Sequence, residues 1–123
     1  MQLMESGEMY LETILVLSQT KKTVRAIDVS EYMGFSKPSV SRAVNNLKSA
    51  GYIKVAEDGG IILTADGKKT AEKIYERHKV LTQILVELGV PEQLASEDAC
   101  KIEHDISDET FAAVKKHLKA TGS

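Results

Sequence analysis

The sequence predicts a mainly α-helical protein with one small β-hairpin. Three observations carry that expectation. Apolar residues recur at helical spacing along most of the chain, glycine or proline closes several of those stretches, and residues 52–63 read as two short strands about a turn. At 123 residues, with 42% apolar and 28% charged side chains, the chain is long enough to bury a core without disulfides or a structural metal.

The elements follow in order. Glu5 to Ser18 reads as a helix with Leu11, Ile14 and Leu15 on its core face, and Thr23–Val24 as a short extended link. Ala26–Met33 is a short helix stopped by Gly34. Ser36 is a good N-cap and Pro38 sits in the first turn, where its missing N–H costs nothing, so a helix opens at Lys37 and runs to Ala50 before Gly51. Tyr52–Val55 and Ile61–Leu63 flank Glu57-Asp58-Gly59-Gly60, a turn sequence. A long helix from Ala65 to about Leu88 carries an apolar stripe of Ala71, Ile74, Tyr75, Leu81, Leu85 and Leu88, and ends before Gly89 and Pro91. Two short helices are expected last, Glu97–Asp105 after Ser96 and Asp108–Lys119 after Ser107.

Helix, tight turn, helix and hairpin in this order make a winged helix-turn-helix, with an all-helical region after it. On the helix after Ser36, Val40, Ala43, Val44 and Leu47 share a core face. The other face holds Pro38, Arg42, Asn45 and Ser49, with Ser41 and Asn46 on its flanks. Hydroxyls, amides and one arginine are the groups that read base edges and grip phosphates in a major groove. Charge agrees. Residues 1–20 carry −3, residues 21–55 carry seven bases against two acids for +5, and residues 56–123 carry −4, within a total of −2. The basic block, Arg25 and Lys37 included, lies where a phosphate-contacting surface would be. Double-stranded DNA is therefore the expected partner. The plainer reading is a helical domain with a polar outer face, which the Gly34/Ser36/Pro38 punctuation followed by a Gly-Gly hairpin disfavours.

A second constellation lies towards the C-terminus. Cys100, Glu103 and His104 stand at i, i+3 and i+4, so a thiol, a carboxylate and an imidazole project from one helix face. That donor set suits a transition metal rather than magnesium or calcium. Met9 and Glu12, also at i, i+3, share the first helix, with Met9 opposite its core face. His78 sits within the apolar stripe between Ile74 and Leu81, where a polar ring needs a partner. Each has a plainer alternative. Cys100 would be a small buried hydrophobe, Met9 would pack with Val16, Glu12 would be a surface charge, and His78 a hydrogen-bonded core histidine.

The chain resembles the diphtheria-toxin-repressor family of iron- and manganese-activated repressors. Glu8-Met9-Tyr10-Leu11-Glu12, Ser36-Lys37-Pro38-Ser39-Val40-Ser41, Leu63-Thr64-Ala65-Asp66-Gly67, Arg77-His78 and Cys100-Lys101-Ile102-Glu103-His104-Asp105-Ile106-Ser107 carry the resemblance over nearly the whole chain. It implies a DNA-binding domain over residues 1–70 and a helical metal-binding and dimerisation domain over 71–123. It also implies operator DNA bound by a homodimer and a primary metal site on Met9, Cys100, Glu103 and His104. Met and Cys at these positions look like the iron-responsive branch. Glu12, His78 and the lack of a third, SH3-like domain look like the manganese branch. Where the iron branch pairs its histidine with a glutamate and a second histidine, this chain has Thr82 and Ser96. Any second metal would then draw on Glu12, Glu103 or water. Sulfur ligands favour Fe(II) over Mn(II), and Co, Ni or Zn should bind at least as tightly in vitro.

Other classes are expected to be absent. No apolar run approaches the ~20 residues of a membrane span, and no basic-then-apolar leader opens the chain. A single cysteine fits a reducing compartment, so a cytoplasmic location is expected. No nucleophile set or separate pocket motif suggests an enzyme. The competing function is a metal-independent winged-helix regulator responding to a small molecule or to oxidation of Cys100.

Overall fold

In a computed structural model the chain is described from residue 5 to residue 120. Among the described residues, six helices and two strands follow one another: α1 (Glu5–Ser18), α2 (Ala26–Met33), α3 (Lys37–Ser49), β1 (Ile53–Val55), β2 (Ile61–Leu63), α4 (Ala65–Glu87), α5 (Glu92–Ile102) and α6 (Asp108–Ala120). The chain divides into two compact units, Met1–Glu72 and Lys73–Ser123, with α4 running from the first into the second.

The first unit is built on an apolar core. Leu11 and Ile14 of α1, Val29 of α2, Val40 and Leu47 of α3, Ile53 and Ile61 of the hairpin and Ala71 of α4 are buried together, with Tyr10, Leu17 and Val44 beside them. Leu15, expected on this face, is half-buried at its edge. Helix ends follow from local chemistry. Gly34 adopts φ 71° and returns its N–H to the Ser30 carbonyl, a left-handed stop that a side chain would strain. The Ser36 hydroxyl accepts the Ser39 N–H at 3.3 Å, and Pro38 fills the first turn of α3. At the other end, Tyr52 N–H is taken by the Leu47 carbonyl and Gly51 N–H by that of Lys48. That capping bond is why β1 opens at Ile53 rather than at Tyr52.

β1 and β2 pair antiparallel, Ile53 opposite Leu63 and Val55 opposite Ile61. The Asp58 carboxylate accepts the Gly60 N–H at 2.9 Å across the turn. The extended link contributes as well, because the Val24 carbonyl accepts the Ile61 N–H at 2.7 Å and ties the wing to the start of α2. Gly67, in the first turn of α4, is where backbones meet. A Cβ there would lie 1.9 Å from the Tyr52 carbonyl oxygen, so no other residue fits without moving the chain.

The second unit departs from expectation in two places. Helix α5 starts at Glu92, with Pro91 as its N-cap and the Pro91 carbonyl accepting the Ala95 N–H at 2.8 Å. Ser96 therefore lies inside the helix instead of capping it, and the helix ends at Ile102 instead of Asp105. The fixed φ of proline, placed just after the Gly89 turn, starts the helix earlier than the serine would. The stripe on α4 also shortens. Ile74 and Leu81 are buried and Tyr75 and Leu85 half-buried, whereas Leu88 is 75% exposed. Leu88 lies past the last helical residue, next to Gly89 at φ 102°, so the helical period no longer sets its direction. Ser107 does cap α6, accepting the Thr110 N–H at 3.1 Å. Among the described residues, no helix is long and apolar enough to cross a membrane.

Candidate nucleic-acid interface and metal centre

In the first unit, α3 presents the predicted face. Ser36, Lys37, Pro38, Ser41, Arg42, Asn45 and Asn46 are exposed, while Val40, Val44 and Leu47 point into the core. Ser39 is half-buried, since its hydroxyl accepts from that of Ser36 at 2.9 Å. Arg25 is exposed but engaged. Its Nε donates to the Asp58 carbonyl at 3.1 Å and its guanidinium stands 3.7 Å from the Asp58 carboxylate, which braces α2 against the wing. The Arg25 N–H also donates to the Asp28 carboxylate at 2.9 Å, half of a capping box, because an arginine side chain has no acceptor to complete it. That backbone N–H, with Lys21 at 3.4 Å, holds the Asp28 carboxyl below its ordinary range. Met9 and Glu12 lie one turn apart on α1, both half-buried.

In the second unit a polar cluster occupies the interior. Glu103 is 0% exposed. Its Oε2 lies 2.9 Å from His78 Nδ1, and its Oε1 lies 3.4 Å from Nε2 of His104, whose side chain is 1% exposed. One ligand atom each from Cys100, Glu103 and His104 lies within 4.8 Å of the others. The helical spacing survives the end of α5 because Glu103 keeps a right-handed helical backbone and its N–H still reaches the Ala99 carbonyl at 2.9 Å. His78 Nε2 is 3.2 Å from the Ser96 hydroxyl, so both ring nitrogens have protein neighbours. With Nδ1–H donating to the carboxylate, Nε2 accepts from Ser96. The Thr82 hydroxyl donates back along its own helix to the His78 carbonyl at 2.7 Å.

These residues fit a divalent transition metal. A buried carboxylate is costly unless a cation or several donors meet it. Glu103 Oε1 makes no hydrogen bond among the described residues, although it is buried. A sulfur, an oxygen and a nitrogen within 4.8 Å of one another would supply three donors of mixed softness.

One further residue shapes this cluster. Arg77 is buried, with Nη1 donating to the carbonyls of Glu103 (3.1 Å) and Ile106 (2.8 Å), Nη2 to the Asp108 carboxylate, and its guanidinium over the Phe111 ring. The sequence held a signal for it. Arg77 stands three residues after Ile74 and four before Leu81, a charge inside an apolar stripe.

A winged helix-turn-helix in one unit and a soft-and-hard donor cluster in the other define a metal-responsive, DNA-binding regulator. Comparison with known proteins agrees. The family model for the N-terminal DNA-binding domain of iron-dependent repressors matches residues 2–61, and that for their metal-binding and dimerisation domain matches residues 64–121. The chain is 32% identical over 114 residues to the transcriptional regulator MntR of Escherichia coli O6:H1, covering 93% of this chain and 74% of that protein. It is 30% identical to the iron-dependent repressor IdeR of Mycobacterium bovis, over 95% of this chain and 51% of the relative. A manganese-dependent transcriptional repressor solved with manganese superposes with a TM-score of 0.85 at 26% identity, over 92% of this chain and 53% of that one. The chain belongs to the iron-dependent repressor family, and is a metal-dependent transcriptional regulator.

Proposed function

We propose that this chain is a repressor that binds operator DNA as a homodimer when loaded with Fe(II), or next with Mn(II), and so controls metal homeostasis in the cytoplasm. The convergence of Cys100, Glu103 and His104 around a fully buried carboxylate is the observation that carries the reading. Cys100, Glu103 and His104 would hold the ion, with Met9 and Glu12 of α1 as the further donors of this reading. His78 either orients Glu103 or, by giving up one of its present hydrogen bonds, joins the ligands. The bound ion supplies positive charge and directional bonds that cross-link these side chains. Binding by Cys100 releases the thiol proton, so acid weakens loading.

Arg42, Asn45 and Asn46 read base edges while Lys37, Ser36, Ser39, Ser41, Pro38 and Arg25 pack along the phosphates. Two such helices in a dimer match half-sites about 34 Å apart. A dimer face is supported by residues 84–90, where Val86 and Leu88 are exposed within the match to the dimerisation domain. Metal and DNA then strengthen each other's binding by a reciprocal coupling of ~1–3 kcal/mol.

The test is metal content and DNA affinity measured together without oxygen, across Fe(II), Mn(II) and Zn(II), on duplexes selected from a random pool. Tighter binding to selected duplexes with Fe(II) than with Mn(II), lost in Cys100→Ala, is expected. Affinity indifferent to every metal would leave the metal-independent regulator as the better reading.

A further inference from the structure

We infer that Arg77 is the positioning residue of the metal centre: by gripping the connection between α5 and α6 it sets where Glu103 and His104 point. The inference rests on the metal-sensing reading above. Two of the prospective ligands, Glu103 and His104, lie beyond the last residue of α5, in a turn rather than in a helix. One helical bond, Glu103 N–H to the Ala99 carbonyl, carries the spacing this far, and beyond it the turn has no regular helical ladder to hold its direction. The Arg77 guanidinium reaches the carbonyl of Glu103 itself, the carbonyl of Ile106 three residues on, and the Asp108 carboxylate that opens α6. Both ends of the turn are thus tied to one planar group on α4.

The chemistry separates this role from plain packing. A buried guanidinium, 6% exposed here, contributes less to stability than a well-packed hydrophobe of similar volume. What it adds is direction. The fork of donors engages three acceptors at fixed angles, and its flat face lies 5.5 Å from the centre of the Phe111 ring of α6. Lys73 supports the outer end, 3.0 Å from Asp108. Next to Arg77 on α4, His78 holds the Glu103 carboxylate, so consecutive residues grip the backbone and the side chain of one ligand.

Co(II) titration of the whole protein without DNA tests this, because cobalt reports geometry in its visible bands and Cys100 ligation in a thiolate charge-transfer band. Wild type is expected to bind with that band, and Cys100→Ser to lose it. Arg77→Met, which keeps the apolar stem, is expected to melt like wild type yet bind Co(II) about 10- to 100-fold more weakly with shifted bands. Arg77→Lys should recover part of the affinity, having the charge but not the fork. Folded Arg77→Met with wild-type affinity and bands overturns the inference while leaving the metal centre intact. If wild type binds no Co(II), the metal reading fails and this one with it. Should Arg77→Met not fold, Asp108→Ala decides. Its loss of the exposed outer anchor is expected to weaken Co(II) binding several-fold with a band shift, and no change overturns the inference.

Discussion

The two units solve the problem of a small core in opposite ways. The Met1–Glu72 unit buries Leu11, Ile14, Val29, Val40, Leu47 and Ile53, and keeps Arg25, Arg42 and its amides at the surface. The Lys73–Ser123 unit places Glu103, Arg77, His104 and part of His78 inside, among few large apolar side chains. An apolar core is complete when the chain folds. A unit that buries, beside Ile74, Leu81, Phe111 and Leu118, a carboxylate oxygen lacking a hydrogen bond gains more when a cation arrives. Under the proposed function, the DNA-reading face needs nothing more once folded, and the buried carboxylate of the second unit is the part a cation would stabilise, with Met9 and Glu12 of α1 as added donors.

The contrast is open to attack, most forcefully at Glu103. Glu103→Gln is expected to weaken metal binding on the order of 100-fold or more, while the metal-free protein melts no lower than wild type, since a buried charge has been removed. Calorimetric titration and thermal melting with and without Mn(II) would show it. A marked loss of metal-free stability instead would mean that the carboxylate belongs to the fold and not to the ion.

In the first unit the strongest effect is steric. Gly67→Ala puts a methyl 1.9 Å from the Tyr52 carbonyl oxygen and should destabilise the winged unit by roughly 3 kcal/mol, read by urea unfolding. Metal affinity of the fraction that still folds should not change, because Gly67 supplies none of the proposed donors. Next come Arg42→Ala and Asn45→Ala. Each should lower DNA affinity by about 1–3 kcal/mol in a binding assay at constant salt, with metal stoichiometry intact.

The smallest effect is at the α2 cap. Asp28→Asn should cost about 0.5 kcal/mol at neutral pH, because the amide oxygen still accepts the Arg25 N–H but the negative charge at the start of α2 and beside Lys21 is lost. The folded state holds the Asp28 carboxyl below the ordinary value of 3.8, so its stabilisation is present above that pH and is lost as the pH falls through the lowered value. Melting of the variant across pH 2–6 should therefore vary less steeply than that of wild type.

Much of the design was legible in the chain. Gly34, Ser36, Pro38 and Gly51 act over one turn of backbone, so the helix-turn-helix and the exposed face of α3 followed from local propensity and period alone. That Cys100, Glu103 and His104 lie close together was legible for the same reason, since a spacing of three and four survives even the end of a helix. Ser96 was misleading because two starts competed, and Pro91 after the Gly89 turn prevailed over a good capping hydroxyl. Leu88 misled because periodicity cannot say where a helix stops mattering. What tertiary structure alone decided are the partners of buried charge: that Arg77 holds the Glu103 carbonyl 26 residues away, and that His78 lies between Glu103 and Ser96. Such pairs arise from the packing of α4 against α5 and the turn after it, and no pattern along the chain encodes which distant groups that packing brings within hydrogen-bond reach.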